Sequence, residues 1–198
     1  MKRKTCLFIF IGAVLLGLPV SSIPASGYNI FGSNCRFDPA NDYDGLGIGV
    51  LTTDPLYNSN QAFSTTSGGN AWNTVMVPQF TTVSYSSSTR DVRVEWGNLG
   101  ASVGGRTTYW CGSGHYSQDP LFEWGANQTY YVSTADRRKV IAIHELGHTY
   151  GMNHNNSTSC NPSIAGLMYT DVVVKTNTCG WTVPTADDVN GAIDAHNG

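Results

Sequence analysis

Residues 144–154 read HELGHTYGMNH, and this stretch is the most informative part of the sequence for fold and function. Side chains four residues apart lie on one face of a helix, so His144 and His148 can direct one ring nitrogen each to a single cation. Zinc binds neutral imidazoles at about 2.0 to 2.1 Å and, in catalytic sites, keeps one position open for water. Glu145 lies beside the two histidines and can accept the proton of that water. The pattern predicts a zinc centre with a general base.

A glycine and a third histidine extend the pattern. Gly151 permits a backbone turn that a side chain would obstruct, which allows His154 to return as a third ligand. The full spacing HExxHxxGxxH is much more specific than HExxH alone. We therefore predict His144, His148 and His154 as metal ligands and Glu145 as the catalytic residue.

This motif, followed by a methionine, resembles the metzincin clan of zinc endopeptidases. Residues 166–169, GLMY, follow the third histidine at the place where the methionine turn of that clan belongs. Residues 184–198 resemble the final helix of the matrixin, or matrix metalloproteinase-like, branch. The resemblance is specific from residue 134 onward and general before it.

The resemblance implies an α+β catalytic domain. Its expected parts are a twisted mixed β-sheet, an active-site helix carrying HExxH, a methionine turn and a C-terminal helix. Met168 would pack beneath the zinc as an apolar base without binding it. Val140 would line the pocket for the residue after the cleaved bond, and Tyr169 is a second, weaker pocket residue. The implied reaction is hydrolysis of internal peptide bonds in a protein or peptide substrate.

The first residues have the composition of a secretory signal. Three basic residues precede an apolar run over residues 6–20, and Ala25-Ser26-Gly27 provides small residues suited to cleavage. We predict a signal peptide over residues 1–27 and one catalytic domain over residues 28–198, which is an ordinary size for a domain. A retained membrane anchor is the weaker alternative, because the run is short for a span. The mature protein is expected outside the cell.

The overall charge limits the partners. The formal net charge is −3, and loss of the basic signal residues makes it more negative. This balance argues against nucleic acid and anionic membranes as partners. We expect a monomer whose partner is its substrate.

Four cysteines remain when Cys6 leaves with the signal. They lack a CxxC pair, and an even number in an exported chain favours disulfides. Three pairings are open. We favour Cys160 with Cys179, which would close a loop around the methionine turn, and Cys35 with Cys111 by elimination.

The remaining chain reads as strands, loops and helices in turn. Alternating apolar residues predict strands over 45–52, 91–96 and 106–111, and residues 81–88 form a strand or a loop. Residues 60–77 predict a helix interrupted at 67–69. Residues 129–132 are β-rich, and Thr134 is a candidate N-cap of the zinc helix, with Asp136 in its first turn. Apolar residues at helical spacing predict a last helix, with His196 as a packing or surface residue.

Three other groups of residues are candidate metal sites. Matrixins hold a structural zinc near residues 112–125, but His115 and Asp119 depart from that pattern, so we expect a loop there. Calcium is a second candidate ion, at Asp42, Asp44 and Asp54 or at Asp119 and Glu123, although solvated loops are the simpler expectation.

The sequence thus predicts a secreted zinc endopeptidase, with zinc as its cofactor and no visible inhibitory propeptide. The alternative is a secreted zinc-containing binding module, or an inactive homologue that serves as an adhesin or toxin component. Glu145 argues against that alternative, because a structural zinc site has no use for a base and usually has four protein ligands.

Overall fold

The computed structural model describes residues 29–30, 45–76, 79–111, 117–127 and 131–197. The predicted signal peptide, Cys35, His115, Asp42 and Asp44 lie outside the described residues. In the described part, no helix is both long enough and apolar enough to cross a membrane.

The chain has an α+β fold with a mixed five-stranded sheet. The order of the sheet is β3-β2-β4-β6-β5; the first four strands are parallel, and β5 at the edge is antiparallel to β6. A two-stranded pair, β1 with β7, lies apart from this sheet. The elements in chain order are β1 (Asn29–Ile30), β2 (Leu46–Val50), α1 (Ser59–Asn73), β3 (Phe80–Val83), β4 (Val92–Gly97), β5 (Gly105–Cys111), β6 (Ser117–Gly125), α2 (Ala135–Thr149), β7 (Met152–Asn153), α3 (Val172–Cys179) and α4 (Ala186–Asn197).

The strands form where apolar residues alternate. Val92, Val94 and Trp96 of β4 are buried, whereas the residues between them are partly exposed. This period of two places one face of the sheet against the helices. Strands β2, β4 and β5 occupy the three predicted positions, and β3 forms in the segment where a strand or a loop was expected.

Helix α1 is continuous, so the predicted interruption at residues 67–69 is wrong. Asn58 caps its start by accepting hydrogen bonds from the backbone N–H groups of Asn60 and Gln61. Gly68 faces Ala142 of α2 so closely that a Cβ at this position would lie 2.7 Å from the Ala142 Cβ. The glycines in this helix therefore allow α1 to pack tightly against α2.

Helix α2 passes through the middle of the molecule. Thr134 caps it, accepting a hydrogen bond from the N–H of Arg137 at 3.2 Å, and Asp136 lies in its first turn, both as predicted. The helix is buried from Val140 to Gly147. Trp72 of α1 donates its indole N–H to the carbonyl of Ile143 at 2.9 Å, which joins the two helices through a buried hydrogen bond.

Four elements were not predicted, namely β1, β6, β7 and α3. Strand β6 pairs with both β4 and β5, and α3 follows the 166–169 segment. Residues 131 and 132, expected in a β-rich segment, lie in a turn. The C-terminal helix α4 forms as expected, although Ile193 on it is 40% exposed.

Candidate metal centre

The three predicted ligands come together at one point. The Nε2 atom of His144 lies 3.1 Å from that of His148 and 3.2 Å from that of His154. Helix α2 supplies the first two rings, and the turn after it supplies the third. Gly151, with φ +94°, makes this turn in a conformation that side chains rarely adopt. Among the described residues, these three form the one group of three or more potential metal ligands that lie close together.

Backbone carbonyls orient two of the rings. The Nδ1 atom of His144 lies 2.7 Å from the carbonyl oxygen of Leu167, and Nδ1 of His148 lies 2.8 Å from that of Met152. A carbonyl only accepts, so each Nδ1 carries the proton and each Nε2 presents a lone pair. Such contacts fix the tautomer of metal-binding histidines.

Burial keeps the rings neutral. It lowers the pKa of His144 well below its usual value and that of His148 to about 4, and it also lowers the pKa of His154. Neighbouring histidines lower the first two further, while the carbonyl contacts oppose the shift. Neutral imidazoles are the form that binds a metal.

The donor set fits zinc. Ligand nitrogens at about 2.05 Å from a tetrahedral ion are separated by roughly 3.3 Å, close to the 3.1 and 3.2 Å observed between Nε2 atoms. Three converging lone pairs repel one another, and a cation at their centre removes that repulsion. Three nitrogens leave a fourth position for a small molecule.

Glu145 lies next to the first ligand and is 5% exposed. Its Oε2 accepts a hydrogen bond from the Thr107 hydroxyl of β5 at 2.7 Å, and that hydroxyl also lies 3.0 Å from the Glu145 carbonyl oxygen. Burial raises the pKa of this carboxyl to about 7, although the Thr107 hydrogen bonds and the charge of Arg106 act to lower it. A carboxyl with such a pKa can take up and release a proton near neutral pH.

The predicted Met168 lies beneath the zinc helix. It is 2% exposed, and a Cβ at Gly147 would lie 2.5 Å from its sulfur, so the methionine packs against α2 directly before His148. Asp188 of α4 holds the surrounding backbone by accepting hydrogen bonds from the N–H groups of Leu167 at 2.9 Å and Met168 at 3.2 Å.

The segment after His154 is held by hydrogen bonds to the backbone of Met168 and from Lys175 of α3. Asn155 donates its backbone N–H to the carbonyl of Met168 at 2.7 Å. Buried Lys175 of α3 donates to the carbonyls of Ser157, at 2.7 Å, and Ser159. A disulfide joins Cys160 to Cys179, the pair favoured from the sequence. The other expected pair, Cys35 with Cys111, cannot be described because Cys35 lies outside the described residues.

A cavity of about 450 Å³ opens beside the three histidines. Ile141, Val172 and Val173 give it an apolar wall, and Tyr131 donates a hydrogen bond to Asp171 at 3.1 Å on the same side. The two predicted pocket residues do not line this cavity. Val140 is fully buried in the core, and the Tyr169 ring lies 5.3 Å from the Lys175 ammonium group.

Several residues of the site were missed from the sequence: Thr107, Tyr131, Asp171 and Asp188. Each reaches the site from an element distant in sequence, so no local pattern marks it. The acidic residues considered for calcium have other contacts: Asp54 accepts the N–H of Leu56 at 2.8 Å, and Glu123 accepts from Arg106 at 2.7 Å. Calcium binding stays a prediction.

Comparison with known proteins gives a likeness of fold. No family model matches the chain, and no curated protein matches it. A chain in the solved structure of the GM1-bound form of the ECX AB5 holotoxin is similar, with a TM-score of 0.53 and 12% identity, over 86% of this chain and 88% of that one. At this identity the likeness concerns the fold.

This comparison corrects the family prediction. The similar structure is a holotoxin, so the prediction that the chain is a matrixin-like metzincin, and with it the prediction of a secreted endopeptidase, is contradicted. The physical reason is that the HExxHxxGxxH pattern specifies a local arrangement of ligands, and a site of this kind does not by itself define a family.

Proposed function

We propose that the chain is a secreted component of a toxin and that it carries a three-histidine zinc centre. The fold likeness to a chain of the AB5 holotoxin over most of both chains carries the proposal. The signal-like first residues and the disulfide between Cys160 and Cys179 support export, because disulfides persist in oxidising compartments.

The ligands of the proposed zinc are His144, His148 and His154. The distances between their Nε2 atoms and their carbonyl-bound Nδ1 atoms support this assignment. When bound, zinc supplies a Lewis acid that polarises a carbonyl group and makes a water molecule more acidic.

The geometry also supports an enzymatic role for the centre, namely hydrolysis of a bond in a target molecule. Glu145 accepts the proton of the attacking water and returns it to the leaving group, because its carboxylate lies beside the three histidines in the wall of the same cavity. The apolar wall beside it receives a side chain of the target by excluding water. The negative net charge favours a protein or peptide target over nucleic acid, and a monomer suffices for this site.

One experiment tests both parts of this proposal. The purified mature protein would be compared with Glu145→Gln and with a chelator-treated sample, on cultured cells and on a panel of peptide, protein and ester substrates. We expect the wild type to bind one zinc ion, to harm cells and to hydrolyse a member of the panel, and both controls to lose hydrolysis.

The two parts can fail separately. Harm to cells that Glu145→Gln retains would assign a structural zinc to a binding module. Absence of zinc binding would overturn the metal centre, and absence of any effect on cells would overturn the role in a toxin.

A further inference from the structure

The carboxylate of Glu145 is held from a strand that contributes nothing to the metal ligands. Thr107 lies on β5, opposite Phe122 of β6, and its hydroxyl is 2.7 Å from Oε2 of Glu145. The same hydroxyl is 3.0 Å from the Glu145 main-chain carbonyl. One side chain of the edge strand therefore contacts both ends of the Glu145 residue.

A glycine two residues earlier on the same strand leaves room for this carboxylate. A Cβ at Gly105 would lie 2.9 Å from Cγ of Glu145 and 3.0 Å from Oε1. Oε1 of Glu145 thus lies against the backbone of Gly105, whereas Oε2 accepts a hydrogen bond from Thr107. Gly105 leaves space for the Glu145 carboxylate, and Thr107 fixes the rotation of that carboxylate through its hydrogen bond.

The Thr107 hydroxyl links the side chain of Glu145 to its main chain. A threonine hydroxyl can donate one hydrogen bond and accept others. Oε2 and the main-chain carbonyl oxygen of Glu145 both lie within hydrogen-bond distance of this hydroxyl. The contact therefore restricts the position of the carboxylate relative to the backbone of α2.

We propose that Thr107 is a positioning residue that orients Glu145 toward the molecule bound opposite the three histidines. This inference rests on the proposed zinc centre and deepens it. Thr107 acts through Glu145, since both of the hydrogen bonds described for its hydroxyl are with that residue. The metal ligands are held by other groups, the carbonyls of Leu167 and Met152.

The test uses the mature protein loaded with Co²⁺ in place of Zn²⁺. The visible absorption of the cobalt site, followed against pH, reports ionisation at that site. We expect Thr107→Val to move the pH midpoint by about half a unit or more, because the base loses its orientation. Thr107→Ser retains the hydroxyl and should restore the wild-type midpoint. Thr108→Val, the neighbouring position on β5, is the matched control and should leave it unchanged.

A double variant separates positioning from general structural damage. In a Glu145→Ala background, Thr107→Val should cause no further shift of the midpoint. Zinc affinity, measured by competition with a chelating dye, should stay within about twofold of wild type in Thr107→Val. If Thr107→Val does not fold, Thr107→Ala serves in its place.

The possible outcomes distinguish this proposal from the zinc centre itself. An unchanged midpoint in Thr107→Val, or an equal shift with and without Glu145, would overturn the role of Thr107. Failure of the wild type to bind either metal would instead overturn the zinc centre.

Discussion

The carbonyl oxygen of Leu167 lies 2.7 Å from Nδ1 of His144, although 23 residues separate them. The Leu167 N–H in turn donates to Asp188 at 2.9 Å. The first ligand, the backbone before Met168 and the C-terminal helix are thus joined by consecutive hydrogen bonds. The orientation of the His144 ring depends on a residue near the end of the chain.

The three histidines should bind one zinc ion per chain. His154→Ala should weaken zinc binding by more than about 100-fold, because a site with two histidines lacks the third ligand that zinc requires. Chelator competition measures the affinity. His196→Ala, which changes a histidine that is not one of the three, should bind as tightly as wild type. Equal affinity in both variants would refute the assignment of His154.

Acid should destabilise the metal-free protein through the buried histidines. The pKa of His148 is about 4 in the folded chain and about 6.5 when unfolded, so between these values the unfolded state binds more protons. The stability that neutral His148 contributes is therefore complete above pH 6.5 and decreases as the pH falls toward 4. Because the pKa of Glu145 is raised, protonation of this carboxyl stabilises the folded state as the pH falls. The contribution of His148 is therefore measured by comparing variants with the wild type.

The contribution of His148 appears when the slope of the unfolding free energy against pH is compared between the wild type and a variant. Between pH 6.5 and 5, replacing His148 with Gln should reduce the pH dependence of the unfolding free energy by about 1 kcal/mol per pH unit. Chemical denaturation of the metal-free protein at several pH values measures this. An unchanged slope in His148→Gln would contradict the burial of this ring.

Replacing Asp188 should both destabilise the fold and weaken zinc binding. Its carboxylate is buried and accepts from the N–H groups of Leu167, Met168 and Thr185 and from the Thr185 hydroxyl. Asp188→Ala removes the acceptor of these three N–H groups, which should cost about 3 kcal/mol or more. Zinc affinity should fall by about 10-fold or more, because the carbonyl that orients His144 becomes mobile. Exposed Asp194, changed to Ala on the same helix, is the control for both measurements.

Lys175 should be important for the segment that follows the third ligand. Its ammonium group donates to the carbonyls of Ser157 and Ser159, and it is 3% exposed. Lys175→Met keeps the aliphatic length and removes the donors, so we expect a loss of about 2 kcal/mol in stability. Limited proteolysis should cut residues 155–160 faster. Lys139→Met, at a partly exposed position of α2, should change neither property.

Local patterns predicted helix α2 best. Thr134, Asp136 and Gly151 mark its two ends with their own chemistry, and the structure places all three as the sequence indicates. The predicted ligands converge because their spacing is fixed by one helix and one turn.

Contacts between segments that are distant in sequence could not be predicted from local patterns. The three valines at the start of α3 favour a strand by propensity, yet the segment is a helix that Asp171 caps and that buries Val172 and Val173 in the core. Gly68 would interrupt an isolated helix, but its close contact with Ala142 makes it part of α1. Thr107 reaches Glu145 only because the sheet brings its edge strand beneath α2.

The attachments of the segment after His154 to α3 are of two chemical kinds, a disulfide and the hydrogen bonds of Lys175. A thiol reductant can break the link between Cys160 and Cys179, at an exposed cysteine, but it leaves the hydrogen bonds of Lys175 intact. Reduction of the disulfide should therefore leave the segment that follows His154 attached to α3, because the hydrogen bonds of Lys175 do not depend on redox conditions.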